Sequence, residues 1–156
     1  MGAVYFYHLT RRPLEVTLAN LADRALAAGW PVAVRARSEG MLALLDDQLW
    51  LQPEDGFLPH GRAGTPREAA QPILLTLGSV AANAPRCIFS VEGAAVDPDE
   101  VTALDRVCVL FDGHDPVVVQ HAREQWKTLT TAGCAAQYWS EEGGAWKMKA
   151  ESPGAD

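Results

Sequence analysis

The sequence predicts an α/β fold, a mainly parallel sheet covered by helices, and three observations point there. Apolar runs of strand length alternate along the chain with segments whose apolar residues recur at helical spacing. The clearest strand, Arg106-Val107-Cys108-Val109-Leu110-Phe111, shows no apolar/polar alternation, as expected where helices cover both faces. The chain has 156 residues, 48% hydrophobic and 21% charged, which suits one domain with one sizeable core. Residues 1–150 are assigned to that domain and 151–156 to a frayed tail.

The elements follow in order. Residues 3–9 are aromatic and β-branched and read as a buried strand. Pro13 suits the first turn of a helix on which Leu14, Leu18, Leu21 and Ala25 share a face and which Gly29 ends. Trp30–Ala36 is the next strand. Ser38 then caps a helix carrying Met41, Leu42, Leu45 and Leu49. Periodicity fails over residues 50–72, which read as a long loop rich in large apolar groups. Ile73–Leu77 and Cys87–Val91 are short strands separated by a turn or short helical piece over Gly78–Pro85. Asp97-Pro98-Asp99-Glu100 opens a short helix through Val101 and Leu104. After Arg106–Phe111, Asp115-Pro116 supplies an N-cap and a proline at the first helical position, and Gly133 ends that helix near Ala132. Ala135–Trp139 is a strand, Ser140–Gly144 a turn, and Ala145–Lys149 the return of a hairpin.

Composition excludes several functions. The net charge of −7 argues against broad DNA binding through phosphate neutralisation and against attraction to anionic membranes. No apolar run approaches a membrane span, and the N-terminus reads as a strand, not a signal peptide. Cys87, Cys108 and Cys134 are widely spaced, with no CxxC, and read as reduced, buried thiols of a cytosolic protein. The four histidines lack metal-ligand spacing. Neither GxxxxGK[ST] nor GxGxxG nor GxSxG occurs, and the turn Leu9-Thr10-Arg11-Arg12-Pro13 has no glycine to wrap a pyrophosphate. Arg11 and Arg12 beside a helix start remain able to hold an anion. Asp112 and His114 follow an inner strand, where α/β folds place ligands. They carry the alternative reading of a small nucleotide- or phosphate-binding enzyme.

Two constellations stand out. On the helix after Asp115, Arg123 and Lys127 share one face with Trp126 beside them. All three lysines, Lys127, Lys147 and Lys149, fall in the last 30 residues. A final hairpin packed beside this helix would give an acidic protein one basic patch with an aromatic wall, suited to a carboxylate-bearing peptide. The second constellation is Trp50, Phe57, Leu58 and Pro59, too apolar for a solvated loop and rich in typical interface anchors.

Taken in order, several segments carry a resemblance: Val4-Tyr5-Phe6-Tyr7-His8-Leu9, Leu49-Trp50, Pro53, Phe57-Leu58-Pro59-His60-Gly61, Phe111-Asp112-Gly113, Ala122-Arg123-Glu124-Gln125-Trp126-Lys127 and Ala132-Gly133. The chain resembles the chi subunit family of bacterial DNA polymerase III, accessory proteins of the clamp-loader complex. The resemblance implies a single three-layer, Rossmann-like domain without a working nucleotide site, no catalysis by this chain within the polymerase complex, and neither cofactor nor metal. It implies that the protein links the polymerase assembly to single-stranded-DNA-binding protein by gripping that protein's acidic C-terminal tail, which ends in phenylalanine. DNA is then met mainly indirectly, in the bacterial cytoplasm at the replisome.

The positions matching the family's grip are Arg123, Trp126 and Lys127. Trp126 stands where the family usually has tyrosine, and Val119 where it has a lysine, a charge that Lys147 or Lys149 would replace. A second family surface, matched by Trp50, Phe57 and Pro59 with His60 beside them, implies a psi subunit or a helicase-like protein as its partner.

Overall fold

The computed structural model describes residues 2–51, 58–78 and 81–154. Among these, eight strands form one sheet in the order β3-β4-β2-β5-β6-β1-β7-β8. The strands are β1 (Ala3–Leu9), β2 (Val32–Arg35), β3 (His60–Arg62), β4 (Ile73–Thr76), β5 (Cys87–Ser90), β6 (Arg106–Asp112), β7 (Ala135–Glu142) and β8 (Ala145–Ser152). All neighbours are parallel except the β7–β8 hairpin at one edge.

Helices α1 (Leu14–Ala27) and α2 (Glu39–Leu51) pack on one face, and α3 (Pro98–Ala103) and α4 (Pro116–Thr131) on the other. The architecture is thus the three-layer α/β arrangement the sequence implies. The core divides accordingly. Val34, Ile73, Leu75, Phe89 and Leu110 meet Leu18, Leu45 and Leu49 on the α1 face. Val4, Phe6, Val107, Val109 and Phe111 meet Val101, Ala122 and Leu129 on the α4 face. Strands β2, β4 and β5 are buried at every residue, which is why they carry no alternation.

The helix ends are set locally. α1 and α4 both finish in a Schellman arrangement. Gly29 and Gly133 adopt φ of +83° and +92°, and the amides of Trp30 and Cys134 donate back to the carbonyls of Ala25 and Leu129, each at 3.0 Å. Asp115 caps α4 by accepting from the amides of Val117 and Val118, and Ser38 Oγ accepts from Met41 N at 3.2 Å to cap α2. Asp97 and Glu100 form a capping box on α3. Glu100 also pairs with the buried Arg35 at 2.5 Å, which ties α3 to the end of β2.

Four expectations change. Residues 60–62 are not loop but the edge strand β3, paired with β4. Pro13 is the N-cap of α1 rather than a residue of its first turn. Ser140, Glu141 and Glu142 continue β7, so the hairpin turn shrinks to Gly143-Gly144, both at positive φ. Glu151 and Ser152, expected to fray, belong to β8 and pair with Gln137 and Ala136, while 155 and 156 lie outside the described residues.

Candidate functional site

Parallel register lines up side chains along the α4 face of β1, β6, β7 and β8. Val109, Phe6, Tyr138 and Ala150 form one row; Phe111, His8, Ser140 and Lys147 form the next. The aromatic members make a shelf. Phe6 lies nearly parallel to Tyr138 at 6.3 Å between ring centres, and Phe111 packs against His8 at 5.2 Å and Tyr138 at 5.9 Å. Trp126 descends from α4 onto this shelf, edge-on to Phe6 at 5.5 Å and to Tyr138 at 6.0 Å. It is half-buried, between the exposed Arg123 and Lys127. Among the described residues no acidic side chain pairs with either cation.

His8 is fixed at the centre of the shelf. Its Nδ1 lies 2.8 Å from the Tyr138 hydroxyl, and Gly113 passes so close that a Cβ there would stand 2.0 Å from the imidazole. Burial, joined by the nearby Arg123 charge, holds the His8 pKa below its ordinary value, against a raising contribution from the Gly113 backbone. Burial also raises the pKa of Tyr138, with Arg123 opposing. Arg123 therefore acts electrically on the shelf although it is itself solvent-exposed.

The structure brings Arg123, Trp126 and Lys127 together as expected, with Phe6, His8, Phe111 and Tyr138 as partners. Those four were not singled out in the sequence. The alternation of Phe6 and His8 on the α4 side of β1 was the available signal. Lys147 lies on edge strand β8 opposite Ser140, 4.0 Å from Glu142, which also pairs with Lys149. Cations on an edge strand also discourage strand-to-strand aggregation. Val119 packs onto the α4-side core.

The expected anion position at Arg11 and Arg12 is filled by the protein itself. Glu141 Oε1 accepts from the backbone amides of Thr10, Arg11 and Arg12 at 3.1, 3.2 and 3.1 Å. The Arg12 Nε lies 3.5 Å from Oε2. Glu141 is only 5% exposed. Asp112 and His114 do not face one another as a dyad. Asp112 Oδ1 accepts from the His114 amide at 2.9 Å, and the His114 ring turns to the Thr10 carbonyl.

At the second surface, Trp50 is 56% and Leu51 65% exposed at the end of α2. The Trp50 ring rests 4.3 Å from His60. His60 is buried, its ring nitrogens 2.8 Å from the Leu58 carbonyl and from Asp46 Oδ1, so it supports Trp50 rather than offering a surface of its own. Pro59 is half-buried. Phe57 lies outside the described residues.

Among the described residues, no cluster of three or more His, Cys, Asp or Glu is placed to hold a metal ion, and no helix is long and apolar enough to cross a membrane. Comparison with known proteins gives a consistent result. The family described as DNA polymerase III chi subunit, HolC, matches residues 1–137. The DNA polymerase III subunit chi of Escherichia coli strain K12 is 26% identical over 120 residues, covering 77% of this chain and 80% of that protein.

Two measurements check this geometry. Burial alone pushes the Glu141 pKa up, but the three amides and Arg12 hold it below the ordinary 4.5. Its stabilisation is therefore complete above that value and fades as pH falls through the lower folded-state pKa. Glu141→Gln is expected to lose about 1–3 kcal/mol at neutral pH, with the gap to the parent narrowing in acid in urea titrations. Arg123→Ala is expected to raise the His8 pKa, read by NMR, because it removes a positive charge from beside the imidazole.

Proposed function

The chain belongs to the DNA polymerase III chi subunit family, and from that premise we propose that it is a non-catalytic accessory subunit of that polymerase in the bacterial cytoplasm. It tethers the clamp-loader assembly to single-stranded-DNA-binding protein by capturing that protein's acidic, phenylalanine-ended tail on the α4 face. The observation that carries this reading is the pairing of two exposed cations without acidic partners among the described residues, Arg123 and Lys127, with the half-buried Trp126 on an aromatic shelf.

The chemistry of such a tail fits that arrangement. A guanidinium donates two parallel hydrogen bonds to a terminal carboxylate, and Lys127 adds a point charge. The terminal ring packs beside the half-buried Trp126 and Tyr138, which the buried Phe6 supports from beneath. Burying one Phe contributes about 1.5–3 kcal/mol, and a charge-assisted hydrogen bond about 1.5–3 kcal/mol. After association costs, micromolar affinity is expected. Acidic residues upstream are steered by the local positive field despite the net charge of −7, so binding weakens as salt rises. Lys147 contributes when it leaves Glu142, supplying the charge that Val119 lacks.

Trp50 and Leu51, with Phe57 and Pro59 nearby in sequence, form the second docking surface, for a psi subunit or a helicase-like protein. The two surfaces lie on opposite faces of the sheet, so the protein acts as a two-ended connector.

Calorimetric titration with the tail peptide tests the reading. The parent protein is expected to bind, and a peptide lacking the final phenylalanine is not. Arg123→Ala combined with Lys127→Ala is expected to weaken binding by at least about tenfold, with no change in melting temperature because both side chains are exposed. Undiminished binding by the double variant would place the tail elsewhere. Trp50→Ala is expected to leave tail capture intact while removing the second partner in a pull-down of the purified proteins.

A further inference from the structure

The face of the sheet opposite α4 carries a second concavity that the tail-capture reading does not use. Where α1 meets β1 and the β7–β8 hairpin, a cavity of about 330 Å³ opens. A smaller one of about 210 Å³ adjoins it, sharing Tyr7, Leu21, Arg24 and Arg106 as a common wall. Both lie on the α1 side of the sheet, away from Arg123 and Lys127.

Trp139 and Trp146 supply flat aromatic surface. Trp139 is held by a 3.0 Å bond from its Nε1 to Gln137 Oε1, and Trp146 stands edge-on to Tyr7 at 5.3 Å. Besides Arg12, which lies over the Trp146 ring at 5.6 Å and is paired with Glu141, two arginines supply charge: Arg106 lies over the Tyr5 ring at 4.2 Å, and Arg24 is exposed at the rim. Neither has an acidic partner among the described residues. The nearby carboxylates are committed, Glu141 to the amides and guanidinium of the β1–α1 turn and Glu151 to Gln137.

The decisive detail is an unspent polar group. Thr17 lines the cavity, is 4% exposed, and its Oγ1 has no hydrogen-bond partner; the buried Arg106 Nε has none either. A buried hydroxyl left unpaired costs stability and is uncommon without a role.

We propose that this cavity binds a nucleobase carrying a phosphate, the unit shared by a free nucleotide and a single DNA strand. The base stacks against the tryptophans, a contact that tolerates any base. Its edge satisfies Thr17 once that side chain turns its buried Oγ1 into the cavity, and Arg24 and Arg106 take the phosphate. Burial raises the Tyr7 pKa, which keeps the phenol protonated and available as a further donor. A phenylalanine ring fits less well, because it offers Thr17 Oγ1 no partner. The site is independent of the tail-capture reading, since it shares no residue with it.

Tryptophan fluorescence of the full chain, titrated separately with dTMP and with the octamer of thymidylate, tests the proposal. Saturable quenching is expected. Equal response to both probes identifies a free nucleotide or strand end as the ligand, and response to the octamer alone identifies a strand. Arg24→Glu, at an exposed position, is expected to weaken binding at least about tenfold. Arg123→Ala with Lys127→Ala is expected to leave it unchanged. Thr17→Val is expected to weaken binding while holding or raising the melting temperature, the opposite of what a purely structural threonine would do. No saturable response to either probe would overturn the proposal, as would unchanged binding in both Arg24→Glu and Thr17→Val. Capture of a phenylalanine-ended acidic peptide that is lost in Arg24→Glu would also overturn it.

Discussion

One carboxylate organises this molecule. Glu141, near the end of β7, reaches the turn after β1 and takes three backbone amides and the Arg12 guanidinium onto a nearly buried side chain. In doubly wound α/β proteins, that turn and the helix start beyond it form the cradle that receives a ligand's phosphate. Here an internal anion occupies it. The hairpin is thereby pinned across the end of β1. On the α1 side this places Trp146 against Tyr7; on the α4 side it sets Ser140 and Lys147 in the same row as His8. The missing glycine loop and the occupied cradle are two expressions of one fact: the ordinary ligand position of this architecture is closed.

With that position sealed, chemistry moves outward to the faces. On the α4 face the uncommitted groups are cationic and aromatic: Arg123, Lys127 and Trp126 over Phe6, His8 and Tyr138. A protein with net charge −7 repels acidic partners in general, so under the proposed function a local pair of cations without acidic partners among the described residues is what would let one acidic segment be selected. At the other end of the molecule, His60 is spent on Leu58 and Asp46 and serves as a base for an exposed tryptophan. The division of labour is physical: buried polar groups fix geometry, and exposed cations and rings remain for partners.

The readable parts of the fold were those decided within a few residues. Gly29 and Gly133 mark helix ends because only glycine readily takes the left-handed conformation there. Asp115-Pro116 and the Asp97/Glu100 box mark starts because they satisfy amides one turn away. The parts decided by distant contacts were not readable. β3 is too short to show periodicity and exists through its pairing with β4. Glu141 sits in a Ser-Glu-Glu-Gly-Gly stretch that reads as a turn, yet its partner Thr10 is 131 residues away in sequence. Likewise Arg123, Trp126 and Lys127 were legible as neighbours on one helix, whereas the shelf beneath them is assembled from β1, β6 and β7 and becomes visible only once the strands are in register.

The central claim, that the α4 face receives an acidic tail while the β1–α1 turn is closed, is tested most directly by mapping backbone amide shifts of the labelled protein during titration with the phenylalanine-ended tail peptide. The account predicts perturbations centred on Phe6, His8, Arg123, Trp126, Lys127 and Tyr138, with Thr10, Arg11 and Arg12 unmoved. Perturbations centred on Thr10–Arg12, or on Arg24 and Arg106 with Arg123 and Lys127 silent, would contradict it.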